Sequence, residues 1–297
     1  MKENNNEQHD INPADNMKRF FRIWKPVIFH QIGLIAASIF MSFIVTLGYY
    51  VKHPKTVIEA VGNRAVFERV LETLIKLTDQ YALVTTGAAS LIVFLICFRM
   101  YQKDEKERMI TTSNTKKKNG SLRYVFLIGL CISIHYVLNN IIFASKIDVT
   151  SESYQRVQEM FYAPSLLVQF IVLVLLSPIC EELIYRGLVY KRLREKNSFI
   201  RAALLSSLIF SVIHGNLVQM FYAFCMGMFL CFLMERFGNL KASMIAHVFM
   251  NFLSIVLTEA GIYNYLVNNE QILMITTVAT AGIGASFFLA INNKAAV

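Results

Sequence analysis

Long apolar runs alternate with short polar segments along the chain. Runs at 27–51, 81–98, 122–144, 164–190, 199–214, 217–234, 242–257 and 272–291 each read as a helix crossing a bilayer. Such a helix needs about 20 apolar residues, with a range of about 17–25. The runs at 199–214 and 242–257 fall slightly short, which predicts burial within the bundle or local thinning. Inside lipid every backbone N–H and C=O needs an internal partner, and a helix supplies one residue by residue. The expected fold class is therefore all-α: a polytopic transmembrane helix bundle of about eight spans.

The segments between the runs divide the chain further. Residues 1–26 are polar and Asn-rich, then basic, and read as a disordered cytoplasmic tail ending at the membrane surface. Residues 27–160 hold N-terminal membrane helices and loops, 161–291 a membrane core rich in candidate chemistry, and 292–297 a short tail. Within 52–80 the pattern "VFERVLETLIKL" has the apolar spacing of an amphipathic surface helix.

Composition supports the membrane reading. The chain has 297 residues, 55% of them hydrophobic and 16% charged. Its net charge of +9 matters less than where the charge sits. Segments 99–123 and 191–201 hold eight and five Lys or Arg, whereas 145–163 holds two and 258–271 none. Cytoplasmic loops carry the basic excess, so both termini are expected in the cytoplasm of a multi-pass cell-membrane protein. The basic balance is thus explained by topology, and no nucleic-acid partner is implied. The five cysteines lie in apolar runs without metal or redox spacing, and an odd buried number argues against a disulfide framework.

Polar groups then stand out where lipid should exclude them. A charge at the bilayer centre costs about 2.5–3.5 kcal/mol on insertion scales. Yet "CEELIYRGLVY" ends an apolar run with Glu181, Glu182 and Arg186. Glu182 and Arg186 are four apart, share a helix face and stand in the favourable order. They can offset each other, which leaves Glu181 facing elsewhere. "FSVIHG" places Phe210 four residues before His214, and "SMIAHVFMN" places His247 four before Asn251. One unpaired carboxylate, two imidazoles and a carboxamide on three helices can converge in a bundle.

A carboxylate beside an imidazole can take a proton from water. Imidazole and amide N–H groups on one helix face can stabilise the oxyanion of a tetrahedral intermediate. The set suits peptide or ester hydrolysis by activated water. Blander readings remain: a structural ion pair for Glu182–Arg186, and polar bridges for single histidines. The spacing HxxxN is weak alone, because His135 and Asn139 repeat it in another span, where a structural bridge is expected. Zinc on Glu181, His214 and His247 is a minor alternative to a cofactor-free site, since carboxylate and imidazole are zinc ligands but no HExxH is present.

The three stretches "EELIYR", "FSVIHG" and "GNLKASMIAHVFMN" resemble, in order, the motifs EExxxR, FxxxH and HxxxN of the CPBP family. These are the CAAX prenyl endopeptidases and bacteriocin-processing or immunity proteins, also called Abi. The resemblance covers roughly residues 165–257. It implies an intramembrane glutamate-type endopeptidase in which Glu181 activates water with His214 as partner. His247 and Asn251 would form the oxyanion site, and Glu182, Arg186 and Phe210 would support it. The implied substrate is a membrane-associated peptide or a protein terminus, met within the lipid bilayer. Because the family includes immunity proteins, a non-catalytic immunity or regulatory membrane protein is the alternative. A transporter reading lacks the inverted repeat or broken spans it needs. Counting residues from the basic loops puts Glu181, His214 and His247 at depths of about 13, 18 and 9 Å, in a cavity expected to open to the cytoplasm.

Overall fold

A computed structural model describes residues 13–111 and 120–292. Among them it contains no strand. The helices are α1 Pro13–Lys52, α2 Pro54–Gly62, α3 Arg64–Gln80, α4 Ala82–Thr111, α5 Ser121–Ser145 and α6 Glu152–Tyr162. They continue with α7 Leu166–Arg194, then α8 Phe199–Val212, α9 Leu217–Phe237, α10 Leu240–Glu259 and α11 Glu270–Asn292. Short helical turns at Ile147–Thr150 and Ile262–Val267 join α5 to α6 and α10 to α11.

Seven of these helices, α1, α4, α5, α7, α9, α10 and α11, are long and apolar enough to cross a membrane. The eighth expected span, α8, has only 14 residues. That is about 21 Å at 1.5 Å per residue, short of the roughly 30 Å hydrocarbon layer. The chain is a multi-pass membrane protein. Large apolar side chains such as Ile35, Ile39, Phe40 and Phe43 on α1 stay exposed at 58–65%, as expected where lipid is the solvent.

Two boundaries differ from the sequence reading. The tail expected to be disordered is helical from Pro13 onward, while residues 1–12 lie outside the described part. Tertiary partners hold this stretch. Ile23 and Trp24 pack on the core, and Arg22 pairs with Glu195 at 2.8 Å and with Asp104 at 3.4 Å. The surface helix expected in 52–80 is two helices, broken at Gly62 and Asn63. Asn63 caps α3 by accepting the Ala65 N–H at 3.1 Å. Ala60, Val66 and Val70 close this pair against Tyr49 of α1. The basic run Lys116 to Lys118 and the tail beyond residue 292 lie outside the described residues.

α7 runs through the middle of the bundle, touching α1, α4, α8, α9 and α10. Every residue from Glu182 to Tyr190 is buried. Its basic end is clamped by Arg192, which donates to Asp104 at 2.7 Å, and by Lys191, which donates to Glu105 at 2.8 Å. On the far side α5 packs on α11, and Gly129 leaves room for the Phe287 ring.

Proline shapes two of the central helices, and each missing N–H is answered from elsewhere. Pro26 lies inside α1 and cannot donate to the carbonyl of Arg22, four residues back. Arg192 of α7 donates to that carbonyl instead. In α7 the turns over Phe170–Leu176 and Glu182–Tyr190 widen to a π-helix. The Ser177 N–H reaches five residues back, to Val172. In that register Leu173 should receive the next N–H, but the next residue is Pro178. The Asn251 side chain of α10 fills the gap, donating to the Leu173 carbonyl at 2.8 Å.

Candidate active site

Glu182 and Arg186 form the expected ion pair, with Arg186 Nη1 donating to Glu182 Oε1 at 2.8 Å and both side chains fully buried. The Arg186 guanidinium also lies 4.4 Å over the Phe210 ring. Phe210 is fully buried and sits edge-on to His214 and His247, at 4.9 and 6.1 Å between ring centres. It thus holds α8 against both neighbouring helices.

His247 bridges the two glutamates. Its Nδ1 lies 3.0 Å from Glu182 Oε1, and its Nε2 lies 3.7 Å from Glu181 Oε2. Glu182 is the partner of Arg186 and accepts, so His247 Nδ1 carries a proton. The Nε2 edge then faces Glu181. A separation of 3.7 Å is too long for a direct hydrogen bond, but one water can reach both atoms. Glu181 keeps 18% of its side chain exposed, whereas His247 keeps 2%.

The imidazole beside the Glu181 carboxylate is His247, while His214, its expected partner, lines the same cavity. His214 sits past the end of α8, in a turn closed by Gly215 at φ +75°. Only glycine adopts that backbone angle freely. The His214 Nδ1–H donates to the Phe210 carbonyl at 2.8 Å, which leaves Nε2 outward. Asn216 then starts α9 by accepting the Gln219 N–H at 2.9 Å.

Residues 163–253, which carry all of these groups, match the family model of the type II CAAX prenyl endopeptidase Rce1-like proteins. This segment is similar to that family. The chain is also similar to a curated protein of Bacillus subtilis named "Putative membrane peptidase YdiL". Identity is 28% over 203 residues, covering 64% of this chain and 79% of the relative. An uncharacterized protein of Mycoplasma capricolum is 26% identical over 202 residues, covering 63% of this chain and 58% of that protein. No solved structure matches.

Glu181, His214, His247 and Asn251 of the Rce1-like segment line one cavity of about 370 Å³. Although the depths counted along the helices differ, His247 Nε2 lies 3.7 Å from Glu181 Oε2. The rest of the lining comes from α1, from α6 and from the ends of α4, α5, α9 and α10. α6 closes over the site with Tyr154, Gln158 and Tyr162. Burial pushes the Tyr154 hydroxyl up to about 12, so it stays protonated.

The second HxxxN pair is engaged by other helices. His135 binds the Tyr222 hydroxyl at 3.1 Å and also that of Tyr263, and Asn139 donates to the His135 carbonyl at 2.8 Å. It ties α5 to α9 and to the turn before α11, although Asn139 also lines the cavity. Among the described residues no group of three His, Cys, Asp or Glu side chains is placed to hold a metal ion.

Sequence reasoning missed His30 and Gln31 of α1, which line the same cavity from outside the Rce1-like segment. The signal was there: "HQ" interrupts an apolar run as "EE" does in α7. Neither residue belongs to a motif, so nothing linked them to Glu181.

Proposed function

We propose that this chain is an intramembrane endopeptidase, cleaving membrane-associated peptides or protein termini in the manner of a CAAX-type membrane protease. One observation carries the reading. Glu181 Oε2 and His247 Nε2 face each other across 3.7 Å on the wall of a cavity large enough for a short peptide. Beneath them Glu182 and Arg186 cancel each other's charge.

The chemistry follows from that placement. A water lies between Glu181 and His247, and Glu181 takes its proton. The hydroxide adds to the scissile carbonyl carbon, and the C=O electron pair moves onto oxygen. Asn251 has a second amide N–H beyond the one bound to Leu173, and it can donate to this oxyanion. Collapse of the intermediate breaks the C–N bond. The proton held by Glu181 passes to the leaving amine. His214 offers Nε2 across the cavity to orient the water or the amine. The buried Glu182 keeps His247 in one tautomer and orientation, as a supporting carboxylate does elsewhere.

The test compares membrane peptides from cells carrying the wild type and Glu181→Gln, read by mass spectrometry. An uncut precursor that accumulates only with Glu181→Gln supports the reading and names the substrate. Identical peptide profiles, with both proteins present in the membrane, would refute it.

A further inference from the structure

The four motif residues Glu181, His214, His247 and Asn251 offer bases but few donors. His214 and His247 both have Nδ1 engaged, on Phe210 and Glu182, so each ring in its neutral form presents an unprotonated Nε2. One Asn251 N–H is held by Leu173. An oxyanion needs donors aimed at it, and these motif residues leave one amide N–H for it.

α1 brings others. His30 is 4% exposed, and its Nδ1 lies 3.2 Å from the Tyr185 hydroxyl. Tyr185 is fully buried, four residues beyond Glu181 on α7. A buried O–H must donate, and His30 Nδ1 is its acceptor here. If Nδ1 accepts, the ring proton sits on Nε2. His30 is thus the opposite tautomer from His214 and His247. Next to it, Gln31 Nε2 is buried and finds no hydrogen-bond partner in the protein. Both side chains line the cavity that holds Glu181, His214 and His247.

We infer that His30 is a further catalytic residue: held by Tyr185, its imidazole N–H donates to the carbonyl oxygen of the bound peptide and to the oxyanion formed from it. α1 therefore completes a site whose bases lie in the Rce1-like segment. Gln31 supplies a second N–H, suited to a neighbouring carbonyl of the same peptide backbone. The ligand class is an extended peptide presenting main-chain oxygens toward α1. This inference rests on the peptidase reading above.

The test measures Glu181-dependent release of peptide termini from membranes containing the full-length protein, by mass spectrometry. The variants are His30→Ala, His30→Gln and Tyr185→Phe, with Glu181→Gln as reference. Loss of one oxyanion donor costs about 100-fold or more in turnover. His30→Ala is expected to slow cleavage by about that factor with little change in KM. His30→Gln, which keeps an N–H, should recover about tenfold of it, a rescue that a merely structural role would not produce. Tyr185→Phe removes one buried oxygen and leaves the His30 tautomer unfixed, so it should slow turnover by about tenfold at unchanged melting temperature. If cleavage requires Glu181 but all three variants stay within threefold of wild type, the role of His30 is refuted and the peptidase reading survives. If Glu181→Gln itself cleaves normally, both fall.

Discussion

Replacing Arg186 by Met tests whether the ion pair under the site carries the load assigned to it. The methionine fills most of the space left by the side chain. It removes the donor 2.8 Å from Glu182 Oε1 and the cation 4.4 Å over Phe210. Glu182 stays fully buried beside His247, which still donates to Oε1. Stripping the counter-charge from a buried ion costs about 3–5 kcal/mol. For a chain of this size each kcal/mol lowers the melting temperature by about 2 °C, which gives about 6–10 °C in all. The double variant Glu182→Gln/Arg186→Met removes both charges and leaves an amide oxygen for His247. Replacing a whole buried pair is about neutral, so this variant should melt close to wild type. A thiol-reactive fluorophore reads the transition in detergent, because Cys97, Cys131, Cys180 and Cys231 are free and buried until the bundle opens. The reasoning fails if Arg186→Met melts within about 2 °C of wild type, or if the double variant melts as low as the single one.

Two further predictions use the same assay. Asn251→Leu should cost about 1–3 kcal/mol, because it leaves the Leu173 carbonyl buried without a donor. Adding Pro178→Ala restores a backbone N–H in register with that carbonyl and should recover part of the loss; a double variant no more stable than Asn251→Leu would contradict the account of the widened helix. Gly227→Ala should destabilise by about 1–3 kcal/mol, because a Cβ there would stand 2.8 Å from Ser207 Cβ and 3.1 Å from its backbone Cα. That contact seats α9 against α8, so an unchanged melting temperature would show that the two helices separate easily.

Most of the architecture was legible because membrane helices announce themselves by length and hydropathy. The errors have local causes. Helical residues 13–26 look polar alone, and Arg22 is held by Glu195, distant in sequence. The run at 199–214 already read as short for a span, and the turn at His214 and Gly215 shortens its helix further, to Val212. The expected pairing of Glu181 with His214 came from the family resemblance, not from geometry. Instead α7 turns Glu181 toward α10, and the widened turns beside Pro178 displace it from the regular α-helical repeat.

The sequence by itself determined that charges lie in a membrane core, and that Glu182 and Arg186 offset each other, since a spacing of four on a helix leaves little freedom. It also marked Glu181, His214, His247 and Asn251 as polar groups needing a reason. Which imidazole meets which carboxylate, which amide N–H is engaged and which face of α1 enters the cavity are set by how helices distant in sequence tilt and pack. His247 stands against Glu181 and Glu182, and His30 joins them from some 150 residues away. Helical periodicity fixes neighbours along one helix; only packing against the others fixes neighbours across the cavity.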